Sequence, residues 1–392
     1  MDVTPSTVGA ARPPLWRDLR VLRVVIQVAA LVVVGIVLYV LWFNLTNNLR
    51  RQGIRTDFGF LDQPIGVNIA GSNIGPGASV RRALGVGIRN TAALAVVGLP
   101  LLTVLGVVVG IARLSSNWIV SKLAAVYVEV FRNLPPLLII VFAFRAVVLR
   151  LPPARDPATP FDLFIISNLS ITVPGFTAAE GFSSFWLAVA LAVVAAGGVW
   201  WWRTRVFDRT GEPHHRVLWS IGLVVAVAAV AYAIFDRPIR LSIPQLEGRA
   251  ISGGFTGFGS FFAVMAALVL YQASHVAEIV RGSIQAIPRG QNEAASALAL
   301  SPFQRMRHVV LPQATRIAIP PTINQYLNYV KNTSLAIAVG FADYVNIAFQ
   351  AIGNGQPAPQ LILIVMGGYL FFSLLISLVV NILNRRLRLV TR

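Results

Sequence analysis

Residues 22–43, LRVVIQVAALVVVGIVLYVLWF, carry one charged side chain, Arg23, and no proline. A helix rises 1.5 Å per residue, so roughly 20 apolar residues cross about 30 Å of hydrocarbon. The stretch therefore predicts a membrane-spanning helix. It is too long for the core of a signal peptide and no convincing small-residue cleavage site follows it, so we expect it to be retained.

Similar apolar runs recur along the chain and predict about eight spans. They cover approximately residues 22–43, 92–111, 134–149, 185–202, 217–235, 260–280, 317–340 and 361–383. The composition agrees, because 56% of the residues are hydrophobic, only 12% are charged, and the mean hydropathy is +0.70. Soluble domains carry about 25% charged residues. The sequence thus predicts an all-α polytopic membrane protein.

The net charge of +18 does not indicate nucleic-acid binding, because the arginines lie between apolar runs and not on one face. Basic groups precede the first span, join the fourth and fifth, and follow the last. An even number of spans puts these groups, and both termini, on one side, which the positive-inside rule makes cytoplasmic. The basic loop at residues 50–89 opposes this assignment, but long loops count less. The chain has no cysteine, which excludes disulfides and thiolate metal sites.

Clusters of proline and glycine divide the chain into segments. We expect a cytoplasmic N-terminus (1–21), an extra first span with its periplasmic loop (22–85), and a first part of the membrane core (86–150). An insertion with two spans (151–259) and the second part of the core (260–392) follow. The insertion begins with a proline cluster and ends in a glycine-rich run, both typical of loops.

A loop at residues 281–316 separates the sixth and seventh spans. Residues 293–300, EAASALAL, have high helix propensity, and Pro302 ends this helix while Ser301 is placed to cap the next. The small apolar side of the helix carries Ala294, Ala295 and Leu298. This side predicts a contact surface for another protein, which Glu293 could orient through a charge-assisted hydrogen bond. A plain connector between spans is the alternative.

The same loop resembles the coupling loop of bacterial ABC-importer permeases, especially those for polar amino acids. The matching residues are Gly290, Gln291, Glu293, Ala294, Ala295, Leu311 and Pro312, and the implied ATPase-coupling segment also includes Leu298 and Ala299. Other matches are residues 132–135 (RNLP), 278–282 (EIVRG), 326–328 (YLN) and 331–336 (KNTSLA). The extra first span and the inserted pair are similar to the larger permease of general L-amino-acid importers. The family usually has glycine where Ala299 stands, so either the turn is right-handed here or the loop docks differently.

The resemblance implies an assembly in the bacterial inner membrane. An ABC ATPase dimer would dock on the coupling loops, a second permease, expected to be a paralogue, would complete the pathway, and a periplasmic binding protein would deliver the amino acid. A phosphate-binding loop needs Gly-Lys-Ser/Thr. The two lysines, Lys122 and Lys331, follow Ser121 and Val330, so we expect ATP and Mg on the partner ATPase and no cofactor on this chain.

Polar side chains inside the predicted spans mark a candidate substrate pathway. They are Glu278 in the sixth span and Asn324, Asn328, Lys331, Asn332 and Ser334 in the seventh. The seventh-span residues lie on one broad helical face, where they could meet the carboxylate and amine of a zwitterion; hydrogen bonding between helices is the alternative. Pro320 and Pro321 weaken the start of this helix and Gly340 ends it, which predicts an interrupted helix. Glu278 is spaced to pair with Arg281.

Two other functions are alternatives to the permease interpretation. An ion-coupled secondary transporter predicts acidic residues at the midplane, and the sequence offers few. A membrane-embedded enzyme needs a metal or nucleophile constellation, and none is apparent. We interpret His275 as a packed or hydrogen-bonded imidazole and Asp343 as a residue that caps or hydrates the outer loop.

Overall fold

A computed structural model describes residues 19–51, 53, 57–70, 72, 74–211, 215–248 and 250–387. Both predicted cytoplasmic termini, at Met1 and Arg392, lie outside these residues. The α-helices of the described part are α1 (Leu19–Arg51), α2 (Val80–Ala112), α3 (Trp118–Asn133), α4 (Pro136–Phe142), α5 (Phe182–Thr210), α6 (Arg216–Ile234), α7 (Gly259–Gln285), α8 (Arg289–Ala297), α9 (Pro302–Arg305), α10 (Leu311–Asn332), α11 (Tyr344–Gly353) and α12 (Ala358–Leu387).

Six of these helices, α1, α2, α5, α6, α7 and α12, are long and apolar enough to cross a membrane. Two bent pairs bring the number to as many as eight. One joins α3 to Pro136–Arg150 at 104°, and the other joins Pro302–Val339 to α11 at 46°. The count agrees with the eight predicted spans. The predicted third span is only the second arm of the first bent pair, however, because α3 is amphipathic and carries no continuous apolar run.

The centre of the bundle is α7, which packs against α2, α3, α4 and α10. Two glycines four residues apart let α2 approach it closely: a Cβ at Gly106 would lie 2.6 Å from Cβ of Val276, and one at Gly110 would lie 2.8 Å from Cβ of Val280. This is the small-xxx-small packing of membrane helices. Both glycines meet residues at the same spacing in the same order, so α2 and α7 run parallel. The loop before α2 and the strands before α7 therefore lie at one end of the bundle, and α8 lies at the other.

A second cluster of buried residues closes the end of the bundle at which α2 begins. Phe60 and Ile65 of the preceding loop pack with Tyr344 and Ile347 of α11 and with Leu361 of α12. These side chains are at most 2% exposed. The loop at residues 57–70 is thus a packed part of the fold.

The predicted insertion contains both helices and strands. The strands are β1 (Ile165–Ile166), β2 (Ser170–Val173), β3 (Gly175–Ala178), β4 (Ile239–Ser242), β5 (Gln245–Glu247), β6 (Ala250–Ser252) and β7 (Phe255–Phe258). They pair antiparallel as β1-β2-β7, β3-β4 and β5-β6. The strands β2 and β3 precede α5, and their partners β7 and β4 follow α6. These two pairings therefore join the segment before the α5–α6 pair to the segment after it. The chain is mainly helical, as predicted. The sequence did not predict these short strands.

The helices α5 and α6 pack chiefly on each other. Small residues line their contact, including Ala192 and Ala196 of α5, and the hydroxyl of Ser220 in α6 donates to the carbonyl oxygen of Ala196 at 3.2 Å. Most of α1 is exposed along its length. These three apolar helices therefore have outer surfaces that no other described part of the chain covers.

Candidate coupling loop and translocation pathway

The predicted contact helix forms as α8, at the end of α7 away from the strands. Its exposed residues include Gly290, Gln291, Glu293, Ala294 and Leu298. The expectation that Ala295 shares the exposed side is wrong, because this side chain is 2% exposed and faces inward. Adjacent residues differ by about 100° around a helix, and Ala295 is the one that faces the neighbouring helices, while Glu293 and Ala294 face outward. The exposed apolar surface consists instead of Leu298 and, on α9, Phe303, which are 76% and 71% exposed.

Hydrogen bonds fix α8 relative to the helices around it. The amide of Gln313, at the start of α10, donates to Oε1 of Gln291 at 3.3 Å, and Nη1 of Arg305 in α9 donates to the hydroxyl of Ser296 at 3.0 Å. The predicted cap at Ser301 is confirmed, since its hydroxyl accepts from the amide of Gln304 and the Gln304 side chain accepts from the amide of Ser301. These hydrogen bonds hold α8, α9 and the start of α10 in one fixed arrangement.

The turn after α8 is left-handed, so the right-handed alternative for Ala299 is wrong. Its φ is 54°. The amide of Leu300 donates to the carbonyl of Ala295 at 3.2 Å, and the amide of Ala299 donates to the carbonyl of Ser296 at 3.0 Å. These two bonds form a Schellman motif, which requires a left-handed residue between helix and exit and normally uses glycine. The turn thus has the left-handed form that suits glycine, with alanine in the strained position.

The polar residues of the seventh span divide between two environments on α10 and the turn after it. Asn324, Asn328 and Lys331 are exposed and follow one another at spacings of four and three, so they form one stripe. Asn332 and Ser334 are half-buried, and the hydroxyl of Ser334 donates back to the carbonyl of Lys331 at 2.8 Å. In a membrane helix, exposed amides must meet water or another protein, because hydrocarbon satisfies none of their hydrogen bonds.

The interruption of this helix lies later than the prolines suggest. The helix α10 continues through Pro320 and Pro321, and it changes to a 3₁₀ helix only at Thr333–Val339. Gly340 then ends the segment with φ 68°, as predicted. The two prolines lie inside α10, which begins at Leu311, and the backbone stays helical through both of them.

Glu278 lies at the end of α7 next to the loop, within a cluster of charges. Its pairing with Arg281 is confirmed, with Nε of Arg281 3.2 Å from both carboxylate oxygens. Arg113, which follows α2, donates to the same carboxylate. Sequence spacing could not reveal this partner, which is 165 residues away in the chain. Since both neighbours are cations held by this group, the geometry favours a role in joining α2 to α7 over substrate contact.

Two single-residue interpretations are confirmed. Asp343 caps α11, because its carboxylate accepts from the amide of Asn346 at 2.9 Å. The imidazole of His275 is packed within the bundle: Nδ1 lies 3.1 Å from the carbonyl oxygen of Tyr271, and the two ring centroids are 4.8 Å apart.

Two cavities open on opposite sides of a packed middle. The outer one, of about 470 Å³, lies between α2, β7 and the turn at Gly340, and it includes Arg89. The inner one, of about 200 Å³, lies between α2, α7 and α10, and it includes Thr103 and Tyr326. These two hydroxyls are 2.7 Å apart.

The packed middle is formed around Tyr329, which is fully buried. Its hydroxyl donates to the carbonyl oxygen of Leu94 at 3.1 Å, and a Cβ at Gly98 would lie 1.9 Å from that hydroxyl. The tyrosine thus fills a space that exists only because residue 98 has no side chain. The side chain therefore packs α10 tightly against α2 at this point.

Comparison with known proteins agrees with this architecture. The family described as "Binding-protein-dependent transport system inner membrane component" matches residues 103–389. The chain is 39% identical over 370 residues to the putative amino-acid ABC transporter permease protein YhdX of Escherichia coli, covering 93% of each. It is 38% identical to the general L-amino acid transport system permease protein AapQ of Rhizobium johnstonii, covering 92% of each.

A third relative is a transport system permease for glutamate, glutamine, aspartate and asparagine, BztB of Rhodobacter capsulatus, which is 34% identical over 99% of both chains. A crystal structure of an amino acid ABC transporter with histidines aligns with a TM-score of 0.45 and 18% identity, over 78% of this chain and 94% of the other. The family match covers well over half of the sequence, and the first relatives are matched along nearly their whole length. The chain therefore belongs to the inner-membrane components of binding-protein-dependent transport systems, as a multi-pass permease subunit of the ABC class and not an enzyme.

Proposed function

We propose that this chain carries L-amino acids inward across the membrane by alternating access, driven by ATP hydrolysis on a partner ATPase. The names of its relatives, all amino-acid permeases, support the substrate class. Differential binding of nucleotide to the inward- and outward-facing states would supply the bias between them.

The observation that carries the proposal is the exposed apolar surface of the loop. Leu298 and Phe303 are exposed on a segment that is held by the Schellman bonds of Leu300 and Ala299 and by the bond from Arg305 to Ser296. Large apolar side chains exposed outside the membrane mark a protein contact. The partner expected there is the ATPase, which holds ATP and Mg, since neither lysine of this chain stands in a phosphate-binding loop.

The polar stripe of α10 is the proposed substrate wall. Asn324, Asn328 and Lys331 offer amides and one cation to a zwitterion on a surface that this chain does not cover. A second permease subunit, proposed to be a paralogue, would face this stripe and complete the pathway. The binding protein would dock at the opposite end from α8, where the outer cavity opens between α2 and β7.

The experiment is ATP-dependent uptake of a radiolabelled L-amino-acid mixture by proteoliposomes that contain the purified complex and its binding protein. Leu298→Asp places a charge in the contact, so uptake should fall at least about tenfold and less ATPase should co-purify. The control is Leu246→Asp, which alters an apolar side chain 43% exposed at the other end of the bundle and should keep the wild-type recovery of the ATPase. Unchanged uptake and recovery in the Leu298 variant would contradict the proposal. Uptake driven by an ion gradient without the ATPase would indicate a secondary transporter.

A further inference from the structure

The outer cavity between α2, β7 and the turn at Gly340 has the size and the lining of a small-molecule site. Its volume is about 470 Å³, and such sites commonly measure roughly 300–1,000 Å³. Phenylalanines form much of its wall: Phe255 and Phe258 come from β7, Phe261 from α7, and Phe341 follows Gly340. The ring centroids of Phe261 and Phe341 are 5.9 Å apart, and Phe341 is buried. The wall is therefore largely aromatic, with a few polar groups among the rings.

Arg89 supplies the charge among the described residues that line this cavity, since none of the others is ionisable. It lies on α2 just before the apolar run at residues 92–111, and it is exposed. Its guanidinium makes no hydrogen bond or ion pair with any other described residue. A cation so close to the hydrocarbon needs water or an anion beside it, and an ionisable residue at this depth is a candidate for a substrate path. The planar guanidinium can therefore offer paired donors to an anion that enters the cavity.

Asn90, the next residue of α2, adds an acceptor to the same cavity. Its Nδ2 donates to the carbonyl oxygen of Ala342 at 2.8 Å, which fixes the side-chain amide. Because the nitrogen is used in this bond, the amide oxygen is the atom that can accept from a ligand. A guanidinium next to a fixed amide oxygen suits the two charged ends of a free amino acid, because the first binds a carboxylate and the second accepts from an ammonium group.

We propose that the outer cavity is an entry site for the transported amino acid. The carboxylate is held by Arg89, the ammonium group donates to Oδ1 of Asn90, and the side chain lies against the phenylalanines. The inference rests on the proposed function and adds to it a substrate-binding residue and a preference among side chains. No described lining residue is acidic, so the guanidinium repels a second positive charge. The site therefore prefers neutral amino acids to arginine and lysine.

The test is equilibrium dialysis of the intact importer complex, without nucleotide or binding protein, against an equimolar mixture of L-amino acids. Mass spectrometry measures each amino acid on both sides of the dialysis membrane. We expect an excess of neutral amino acids on the protein side, with arginine and lysine under-represented. Arg89→Gln should lower the excess at least about tenfold, because a charged hydrogen-bonding partner is lost. Arg89→Lys keeps the charge without the paired donors and should give an intermediate value.

The matched control is Arg82→Gln, which removes the same charge from an exposed residue of α2 outside the cavity and should keep the wild-type excess. A second variant tests the site without changing its charge. Ala93→Phe adds a ring inside the cavity one turn after Arg89 and should also lower the excess, whereas Val96→Phe adds a ring at a position 73% exposed outside it and should not.

Equal excess in wild type and Arg89→Gln, or enrichment of arginine and lysine, would overturn the entry site. If Arg89→Gln instead weakens only the binding of the loaded binding protein, the cavity is a docking surface and the proposal is wrong. The two proposals fail separately. A wild-type complex without ATP-driven uptake counts against the proposed function, whereas normal wild-type uptake with an unchanged excess in Arg89→Gln defeats the entry site alone.

Discussion

At the scale of single residues, Ala299 has a strained backbone conformation that the turn after α8 requires. A left-handed backbone costs a non-glycine residue about 1–2 kcal/mol, because Cβ approaches the following carbonyl oxygen. The Schellman bonds at Ala295 and Ser296 hold the residue there regardless. The sequence showed that glycine was missing, but it could not show that the turn keeps its left-handed form, since this depends on where α9 begins.

We therefore predict that Ala299→Gly stabilises the loop. Glycine relieves the strain at φ 54°, and the gain should be about 1 kcal/mol, somewhat reduced by the entropy that glycine adds to the unfolded chain. Thermal unfolding of the purified complex should shift upward by a degree or more, with uptake kept within about threefold of wild type. A lower melting temperature would contradict this reading of the turn.

A second residue-scale prediction concerns the packed middle. Gly98→Ala places a methyl group against the hydroxyl of Tyr329, so it should destabilise the protein by about 1–3 kcal/mol through overpacking and loss of the bond to Leu94. Adding Tyr329→Phe removes the hydroxyl but leaves the ring carbon Cζ 2.3 Å from the added Cβ, so it should recover only a small part of the loss. The matched control is Gly85→Ala on the same helix, where a Cβ meets no atom within 4 Å and alanine favours the helix. Equal melting temperatures for the Gly98 and Gly85 variants would refute the close contact.

At the scale of elements, α10 shows what helical periodicity can and cannot predict. Helical spacing brings Asn324, Asn328 and Lys331 onto one stripe, as the structure has them, but it does not say which side of the helix is covered. Packing decides this, since Tyr329 and Val330 face α2 and α7 and turn the stripe outward. The same limit explains Ala295, because a short amphipathic pattern cannot tell a contact surface from a face packed on the neighbouring helix.

For this element we predict that Asn328→Leu lowers amino-acid uptake at least about tenfold while ATP hydrolysis without substrate and complex recovery stay within twofold. The exposed amide would be lost from the pathway, and no described hydrogen bond of the fold depends on it. The comparison is Asn346→Leu, since that side chain is buried and donates to the carbonyl of Phe341 at 2.8 Å. This change should lower the melting temperature instead. A fall in stability with Asn328→Leu, at unchanged uptake per folded complex, would assign the stripe to subunit packing.

Elements without long apolar runs were the ones that sequence patterns missed. The helix α3 is amphipathic and is recognised only through its contacts with α7, including the hydroxyl of Tyr127 on the carbonyl of Leu270 at 2.7 Å. The strands are two to four residues long and lie among proline and glycine, which predicted loops. Their pairing depends on segments that are far apart in the chain, so no local pattern specifies it.

At the scale of the whole molecule, the parallel packing of α2 and α7 places the loop at residues 57–79 and the strands on the side opposite α8. We predict that single cysteines at Gly75 and Phe176 react with an impermeant thiol reagent added outside intact cells, whereas one at Leu298 reacts only after permeabilisation. Phe176 is preferred to Gly175, where a Cβ would lie 2.9 Å from the backbone nitrogen of Phe255. The native chain has no cysteine to interfere. Labelling of Leu298 from outside would reverse the assigned orientation.

The strands β2 and β7 pair although the α5–α6 hairpin separates them in the chain, and this has a consequence for the order of folding. Thr172 of β2 meets Thr256 of β7 across 84 residues, a separation that would make pairing slow in a free chain. Once both helices are inserted, the start of α5 and the end of α6 lie at one face of the membrane, and the loop left to close shortens to residues 173–181 and 235–255. Strand pairing should therefore come late, after insertion of the hairpin. A pulse-labelled chain arrested before α6 has emerged should remain protease-sensitive throughout residues 165–178.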